Sequence, residues 1–219
     1  MQWCGPGKAG LSPRRNVYFN WSVLVPPHLE AGRKAPLELY FHTGNFSYAK
    51  PRMKLIRGSI QIAPHDWPFS GWYGFNDAFG TLKSYRSGRV GNHTQRRIMA
   101  FLGWAKTRFP IDADRIMLPG SDGAALLAIN YPRRFSYVLI NKFESLVAPP
   151  ERVARGPPPT LAHATAVLGP VWGPKSPAVK DDQGRGEWGW AMLDRLVAAK
   201  PGRDLPLFCC RTQSWGLHE

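Results

Sequence analysis

The sequence predicts an α/β fold, a mostly parallel sheet with helices on both faces. Short apolar runs of strand length alternate along the chain with segments whose apolar residues recur at helical spacing. Most of the runs are continuously apolar, which is typical of parallel strands that are buried on both sides. The chain has 219 residues, of which 43% are hydrophobic and 20% charged, so we expect a single domain over residues 1–219.

The predicted elements follow one another in a regular order. Strands are expected at residues 18–25, 36–42, 59–64, 115–118, 136–141 and 205–210. The first of them alternates and ends at two prolines, which favours an edge strand. Helices are expected between Asn92 or Thr94, either of which can cap the helix, and Pro110, and at residues 124–130 and 188–199. Within the first helix one apolar stripe is expected, and Arg96, Arg97 and Lys106 lie off it; its members are Ile98, Phe101, Leu102 and Ala105.

The charge balance is basic but evenly spread. The 29 Lys and Arg residues against 15 Asp and Glu residues give a net charge of +14. Such an excess suits an anionic partner, yet no run of five or more basic residues and no nucleic-acid-binding motif is present. The pattern argues against nucleic acid as a partner and favours a generally basic surface.

The three cysteines, Cys4, Cys209 and Cys210, make a poor disulfide framework because their number is odd and two of them are adjacent. We expect them to be small buried hydrophobic residues. No His and Cys spacing matches a zinc site, so the sequence predicts neither a metal nor a cofactor.

Residues 146–186 are rich in proline and glycine and weakly patterned, which predicts a long loop or partial lid. No apolar run has the length of a membrane span, and the first residues lack the pattern of a signal peptide. A cytoplasmic protein and a secreted protein without its leader both fit this pattern. The oligomeric state is not predicted.

Two segments resemble the esterase and depolymerase branch of the α/β hydrolases. Residues 112–120 match that family's Asp-x-x-Arg strand, and residues 131–135, Tyr-Pro-Arg-Arg-Phe, match the end of the helix that follows. The entry strand over residues 23–42 and the segments 72–76 and 92–97 agree with it as well. The resemblance covers residues 20–145 well and 186–219 loosely. It implies acyl transfer to water by a nucleophile on a sharp strand-to-helix turn, the nucleophile elbow.

The elbow departs from the family's pattern at its centre. Counted from Arg115, the nucleophile position falls on Asp122, within Gly120-Ser121-Asp122-Gly123-Ala124, and the following helix is about one turn short. Three interpretations follow: Asp122 is a carboxylate nucleophile, Ser121 is the nucleophile through a shifted turn, or the nucleophile is lost and one of the two caps the helix.

The resemblance assigns further roles. The turn after the second strand matches the family's oxyanion loop, so the backbone N–H of Thr43 or Gly44 would face the elbow. Trp72 and Tyr73 would line an acyl or aromatic pocket. The family's histidine follows one more strand than this chain contains, which leaves His218 as the candidate base. No aspartate stands at the expected position of the acid.

The sequence therefore favours a carboxylic-ester hydrolase relative that acts on a small-molecule or polymeric ester. The alternative is a non-catalytic or truncated α/β-hydrolase-like binding module, a pseudoenzyme with an incomplete catalytic triad, which the missing last strand and histidine favour. A third hypothesis, a basic surface protein that binds an anionic polymer, rests on the net charge alone.

Overall fold

The computed structural model describes residues 2–4, 17–42, 47–49, 54–66, 70–120, 122–141, 183–184 and 193–211. The helices are α1 (His93–Arg108), α2 (Asp122–Asn130) and α3 (Leu193–Ala198), with 3-10 turns at Tyr85–Ser87 and Pro132–Arg134. The strands are β1 (Gln2–Cys4), β2 (Val17–Phe19), β3 (Trp21–Leu24), β4 (Ala35–Leu39), β5 (Ile60–Pro64), β6 (Phe75–Asn76), β7 (Val90–Gly91), β8 (Ile111–Gly120), β9 (Tyr137–Asn141) and β10 (Leu207–Arg211).

Six strands form the central sheet in the order β10-β9-β8-β4-β5-β3. Every neighbouring pair is parallel except β3 and β5, which are antiparallel. Of the segment 18–25 predicted as one edge strand, residues 21–24 form β3 at the edge of the sheet, whereas residues 18 and 19 belong to β2 and pair with β1. The predicted α/β class with a mostly parallel sheet is confirmed. Two small antiparallel pairs, β1 with β2 and β6 with β7, lie outside this sheet.

One face of the sheet carries the main core. Leu37 pairs with Ile60 and Ile116 in neighbouring strands, so all three side chains point to the same side. Helices α1 and α2 pack there, since their apolar residues belong to the same buried cluster, among them Ile98, Leu102, Ala124 and Leu127. The stripe predicted for α1 is the buried one.

The opposite face is held by a buried carboxylate. Glu38 in β4 is fully buried and accepts hydrogen bonds from the backbone N–H groups of Leu55 and Ile56, both at 2.9 Å. The Ser59 hydroxyl donates a third at 2.5 Å. A buried carboxylate needs such partners, because it would otherwise lose its hydration without compensation. Glu38 therefore fixes the segment that leads from residue 54 into β5.

The structure corrects three sequence expectations. Asn92 is the N-cap of α1 but makes no side-chain capping bond, and Thr94 is buried in a hydrogen bond to Ser70. Arg97 is buried, because it lies one turn before Phe101 on the inner side of the helix. Its guanidinium lies 3.5 Å from the centroid of the Phe19 ring.

The third correction concerns the cysteines. Cys209 and Cys210 are exposed free thiols, since β10 is the edge strand of the sheet in the part of the chain that the structure describes. The side chain of Cys4 lies outside the described residues. Of the predicted loop at residues 146–186, only 183–184 are described, and the single-domain organisation remains a prediction. Among the described residues, no helix is long and apolar enough to cross a bilayer.

Candidate active site

The carboxyl ends of the parallel strands meet at one edge of the sheet, and the chain passes there from β8 into α2. Strand β8 ends at Gly120 and α2 begins at Asp122, so a single residue, Ser121, separates strand from helix. Ser121 and the side chain of Asp122 lie outside the described residues. The strand, turn and helix nevertheless arrive in the order that exposes a side chain above a sheet.

Small residues on both sides of the turn let two aromatic side chains approach closely. A methyl group at Gly120 would lie 2.9 Å from the Cβ of Phe41. One at Gly123 would lie 2.6 Å from the Cβ of Trp72 and closer still to its Cδ1. Neither position has room for a side chain, because carbon atoms at van der Waals contact are about 3.5–4.0 Å apart.

Trp72 is the strained residue of this region. Its φ of 65° makes it the non-glycine residue with positive φ in the described part of the chain, directly after Gly71 at φ 63°. Its indole is 2% exposed, stacks on Phe41 at 4.4 Å between ring centroids, and meets His42 edge-on at 4.8 Å. Backbone strain of this kind persists only where surrounding contacts hold it, and it clusters at functional sites.

Asp66 holds that turn. Its Oδ2 accepts hydrogen bonds from the backbone N–H groups of Ser70 at 2.9 Å and Trp72 at 3.0 Å. Its Oδ1 accepts the Ser70 hydroxyl at 2.5 Å, and that hydroxyl also lies 3.0 Å from the hydroxyl of Thr94 in α1. One carboxylate thus ties the end of β5 to the Trp72 turn and to the start of α1.

Burial governs the charge of this carboxyl group. Asp66 is buried, and the loss of hydration raises its pKa above the ordinary 3.8. The hydrogen bonds from Ser70 and Trp72, and the charge of Arg97, act in the opposite direction but do not outweigh burial.

Two histidines follow the ends of β4 and β5. The Nε2 atom of His42 accepts a hydrogen bond from the backbone N–H of Asp66 at 3.3 Å, so a neutral His42 carries its proton on Nδ1. His65 lies beside it, with ring centroids 5.7 Å apart, and also contacts Tyr48 at 5.1 Å. The pKa of His65 is lowered by burial first, then by the nearby charges of His42 and Arg97.

The predicted site residues are described only in part. Thr43, Gly44 and His218 lie outside the described residues, as does Ser121. Trp72 and Tyr73 are both buried, and the Tyr73 carbonyl accepts the backbone N–H of Gln95 at the start of α1. Within the described ranges, no group of three or more His, Cys, Asp or Glu side chains could hold a metal ion.

Sequence reasoning missed the Asp66, Ser70 and Thr94 network. The irregular stretch that contains Asp66 and Ser70 has no periodicity, and Thr94 was considered as a cap. The signal in the sequence is slight: a lone acid just after a predicted strand, with a serine four residues later. Only the folded chain brings both to the first turn of α1.

Comparison with known proteins gives structural matches alone. No protein-family model matches the sequence, and no curated protein is similar enough to count as a match. FphF, a fluorophosphonate-binding serine hydrolase of Staphylococcus aureus, is similar with a TM-score of 0.55 and 12% identity over 91% of this chain and 76% of FphF. The S-formylglutathione hydrolase FrmB of Staphylococcus aureus gives a TM-score of 0.52 and 12% identity over 88% and 72%.

An acetyl xylan esterase from Aspergillus awamori is more distant, with a TM-score of 0.38 and 15% identity over 56% of this chain. The chain spans 46% of that esterase's length. The strand order with its antiparallel edge, together with the similarities to FphF and FrmB, shows that this chain has the α/β-hydrolase fold.

Proposed function

We propose that this chain hydrolyses carboxylic esters at the turn between β8 and α2. The observation that supports the proposal is the single-residue connection from Gly120 to Asp122, flanked by glycines that leave no room for side chains. Such a turn raises a nucleophile above the sheet and points backbone N–H groups of the helix start toward the reacting carbonyl.

The reaction has two steps. In the first, the nucleophile attacks the carbonyl carbon of the ester. The bond from that carbon to the alkoxy oxygen breaks, and the alcohol leaves after its oxygen gains a proton. Ser121 would form an acyl ester and pass its proton, through a base for which His218 is the candidate, to the leaving alkoxide. Asp122 would form an acyl anhydride, and because a carboxylate has no proton to give, the leaving alkoxide would take its proton from water. The N–H groups of Thr43 or Gly44 would bind the oxyanion. Water then releases the acid and restores the enzyme.

Hydrolysis of p-nitrophenyl acetate by the purified chain tests the proposal. We expect turnover that falls by about a thousandfold or more in Ser121→Ala or in Asp122→Ala, whichever removes the nucleophile. A fluorophosphonate that labels the wild type but not Ser121→Ala would identify the serine. Labelling cannot occur in this way at a carboxylate nucleophile, so hydrolysis without labelling favours Asp122.

Exposed residues away from the turn supply matched controls. Ser87→Ala and Asp114→Ala change the same residue types at exposed positions and should leave the rate unchanged. A wild-type rate in both Ser121→Ala and Asp122→Ala would contradict both nucleophile assignments. His218→Ala examines the base separately, and a rate that does not change would remove His218 from the mechanism.

A non-catalytic binding module is the second candidate function. It is favoured by the elbow sequence Gly120-Ser121-Asp122-Gly123-Ala124, which departs from the family's pattern at the nucleophile position. A binding module would neither release p-nitrophenol nor react with a fluorophosphonate. Binding to an anionic polymer such as heparin belongs to this candidate only if it weakens with added salt, because charge-driven binding releases counterions.

A further inference from the structure

We propose that the surface around the amino ends of the parallel strands binds an anionic lipid bilayer. This amino-end surface consists of residues 33–34, 54–57, 106–108, 133–134 and 200–203, together with the exposed apolar side chains beside them. It lies at the opposite end of the strands from the connection between β8 and α2, so the proposal does not depend on the catalytic role proposed for that connection.

The sheet brings together basic residues that are far apart in the sequence. Strands β5, β4, β8, β9 and β10 are parallel, so the chain enters all five at the same end of the sheet. Each of the five segments that lead into these strands carries two Lys or Arg residues. Neighbouring strands are about 4.8 Å apart, so the row of five pairs is about 20 Å long. Basic residues that are evenly spread along the chain are therefore concentrated at one surface.

Carboxylates neutralise only part of this charge. Four lie beside these segments in the described part of the chain, those of Glu30, Asp112, Asp114 and Asp204. Two of them are paired with arginine, Glu30 with Arg33 and Asp112 with Arg115 near the start of β8. With Arg115 included, eleven basic residues stand against four acidic ones, which leaves a local charge of +7 (11 minus 4).

Like charges approach one another in the middle of the row. Lys106 near the end of α1 lies close to Arg134, and its pKa is lowered by partial burial first and then by the charge of Arg134. Asp114 acts in the opposite direction but does not outweigh them. Among the described residues, the side chains of Arg108, Arg133 and Arg134 have no carboxylate partner. An anionic partner would relieve this repulsion.

Exposed apolar side chains lie between the basic residues. Eight large hydrophobic side chains are exposed in the ranges that the structure describes, and six of them lie at the amino-end surface: Leu24, Val25, Leu55, Trp104, Val197 and Leu207. Leu55 lies between Lys54 and Arg57 in the chain, and Trp104 lies one helical turn before Arg108 on α1. Exposed apolar residues gathered in one place mark an interaction surface.

The strand register places the remaining apolar residues at this surface. Leu24 pairs with Gln61, the second residue of β5, because β3 is antiparallel and ends where β5 begins. Leu207 is the first residue of β10. The Val197 carbonyl accepts the backbone N–H of Lys200, so Val197 lies beside the last basic pair of the row.

The combination of charge and apolar side chains favours a bilayer over a linear polyanion. A bilayer with anionic lipids attracts Lys and Arg at its surface and also takes up apolar side chains and tryptophan below its headgroups. A linear polyanion such as heparin attracts the basic residues equally well but has no apolar layer for Leu55 or Trp104. The amino-end surface offers both kinds of group together.

Co-sedimentation with vesicles tests the proposal. Vesicles that contain phosphatidylserine are compared with vesicles of phosphatidylcholine alone. We expect the purified chain to bind the anionic vesicles, to bind them less as sodium chloride rises from about 0.01 M to about 0.15 M, and to leave the neutral vesicles unbound. Binding to neither kind of vesicle, or equal binding to both, overturns the proposal.

Two double variants with the same net charge locate the binding surface. Arg133→Glu with Arg134→Glu changes the amino-end surface, whereas Lys83→Glu with Arg89→Glu changes exposed residues between the carboxyl end of β5 and the start of α1. Each lowers the net charge from +14 to +10 (14 minus 4). We expect the first to weaken binding to anionic vesicles about tenfold or more and the second to leave it within about twofold. Equal weakening by both would show attraction to the overall charge alone and overturns the proposal.

Leu55→Ser distinguishes a bilayer from a linear polyanion. We expect this variant to bind anionic vesicles about threefold or more weakly, because it loses an apolar group that enters the bilayer, and to bind heparin as the wild type does. The matched control is Leu82→Ser, since Leu82 is fully exposed in the segment between β6 and β7 and should change neither kind of binding. Vesicle binding that Leu55→Ser leaves unchanged would assign the surface to a linear polyanion and overturns the proposal.

Discussion

At the scale of single residues, the glycines differ in whether a side chain would fit at their position. Gly123 has the Trp72 indole where a side chain would be, whereas Gly103 in the exposed face of α1 has nothing within 4 Å of such a side chain. Gly103 lies in the interior of its helix and Gly123 in the first turn, so the intrinsic gain from alanine is no larger at Gly123 than at Gly103. A difference between the stability changes of the two alanine substitutions therefore reports the contact between position 123 and Trp72.

We therefore predict opposite effects of the same substitution. Gly123→Ala should lower the free energy of unfolding by about 1–3 kcal/mol, because the added methyl group forces Trp72 out of its packed position. Gly103→Ala should raise it by up to about 1 kcal/mol. Urea denaturation measures both. Equal stabilisation by the two substitutions would contradict the placement of the indole on α2.

Asp66 gives a second prediction at this scale, in the pH dependence of stability. Its folded pKa lies above the ordinary 3.8 because it is buried. The folded protein then binds the proton more tightly than the unfolded chain, so this contribution to stability is fully present below about 3.8 and is lost as the pH rises through the folded pKa. Denaturation curves at a series of pH values should show that the free energy of unfolding of the wild type falls as the pH rises through this range. Asp66→Asn should not show this fall.

The control is a carboxyl group shifted the other way. Arg115 donates a 2.6 Å hydrogen bond to Asp112 and lowers the pKa of that carboxyl group. Its contribution is therefore present above the ordinary value and lost as the pH falls through the folded pKa. Asp112→Asn should remove a loss of stability that occurs as the pH falls, whereas Asp66→Asn should remove a loss of stability that occurs as the pH rises. The same sense for both would refute the burial argument for Asp66.

At the scale of elements, the antiparallel edge strand is fastened to the helix layer by an aromatic pair. Trp21 in β3 stacks on Phe101 in α1, with centroids 3.8 Å apart and an interplanar angle of 3°. We predict a coupling of about 0.5–1.5 kcal/mol from the double-mutant cycle of Trp21→Leu and Phe101→Leu. Strictly additive effects on the urea midpoint would mean that the pair contributes only the burial of each ring.

At the scale of the whole molecule, the net charge of +14 works against the compact state. Salt shortens the range of this repulsion, from a Debye length of about 30 Å at 0.01 M to about 8 Å at 0.15 M. We predict that sodium chloride over this range raises the melting temperature. A melting temperature that falls would indicate that the salt weakens attractive ion pairs more than it relieves repulsion.

The sheet was predictable because its strands carry their own signals. Apolar runs such as residues 59–64 and 136–141 favour a strand, and the alternation in residues 18–25 favours an edge strand. The passage from strand to helix near residues 120–122 was predictable, because the sequence predicts a strand at residues 115–118 and a helix at residues 124–130. The burial of Arg97 and the exposure of Cys209 and Cys210 were not predictable, because residue type alone does not reveal neighbours from distant segments.

The sequence by itself determined the α/β class, the chain order of the six central-sheet strands and of the helices between them, and the region where β8 leads into α2, because these depend on local periodicity and on residues that are near in the chain. The tertiary structure alone decided what surrounds that place. It packed Trp72 onto Gly123, 51 positions along the chain (123 minus 72), and set Asp66 to hold it. Such contacts join segments that carry no pattern of their own, so they exist only when the sheet has brought its strand ends together.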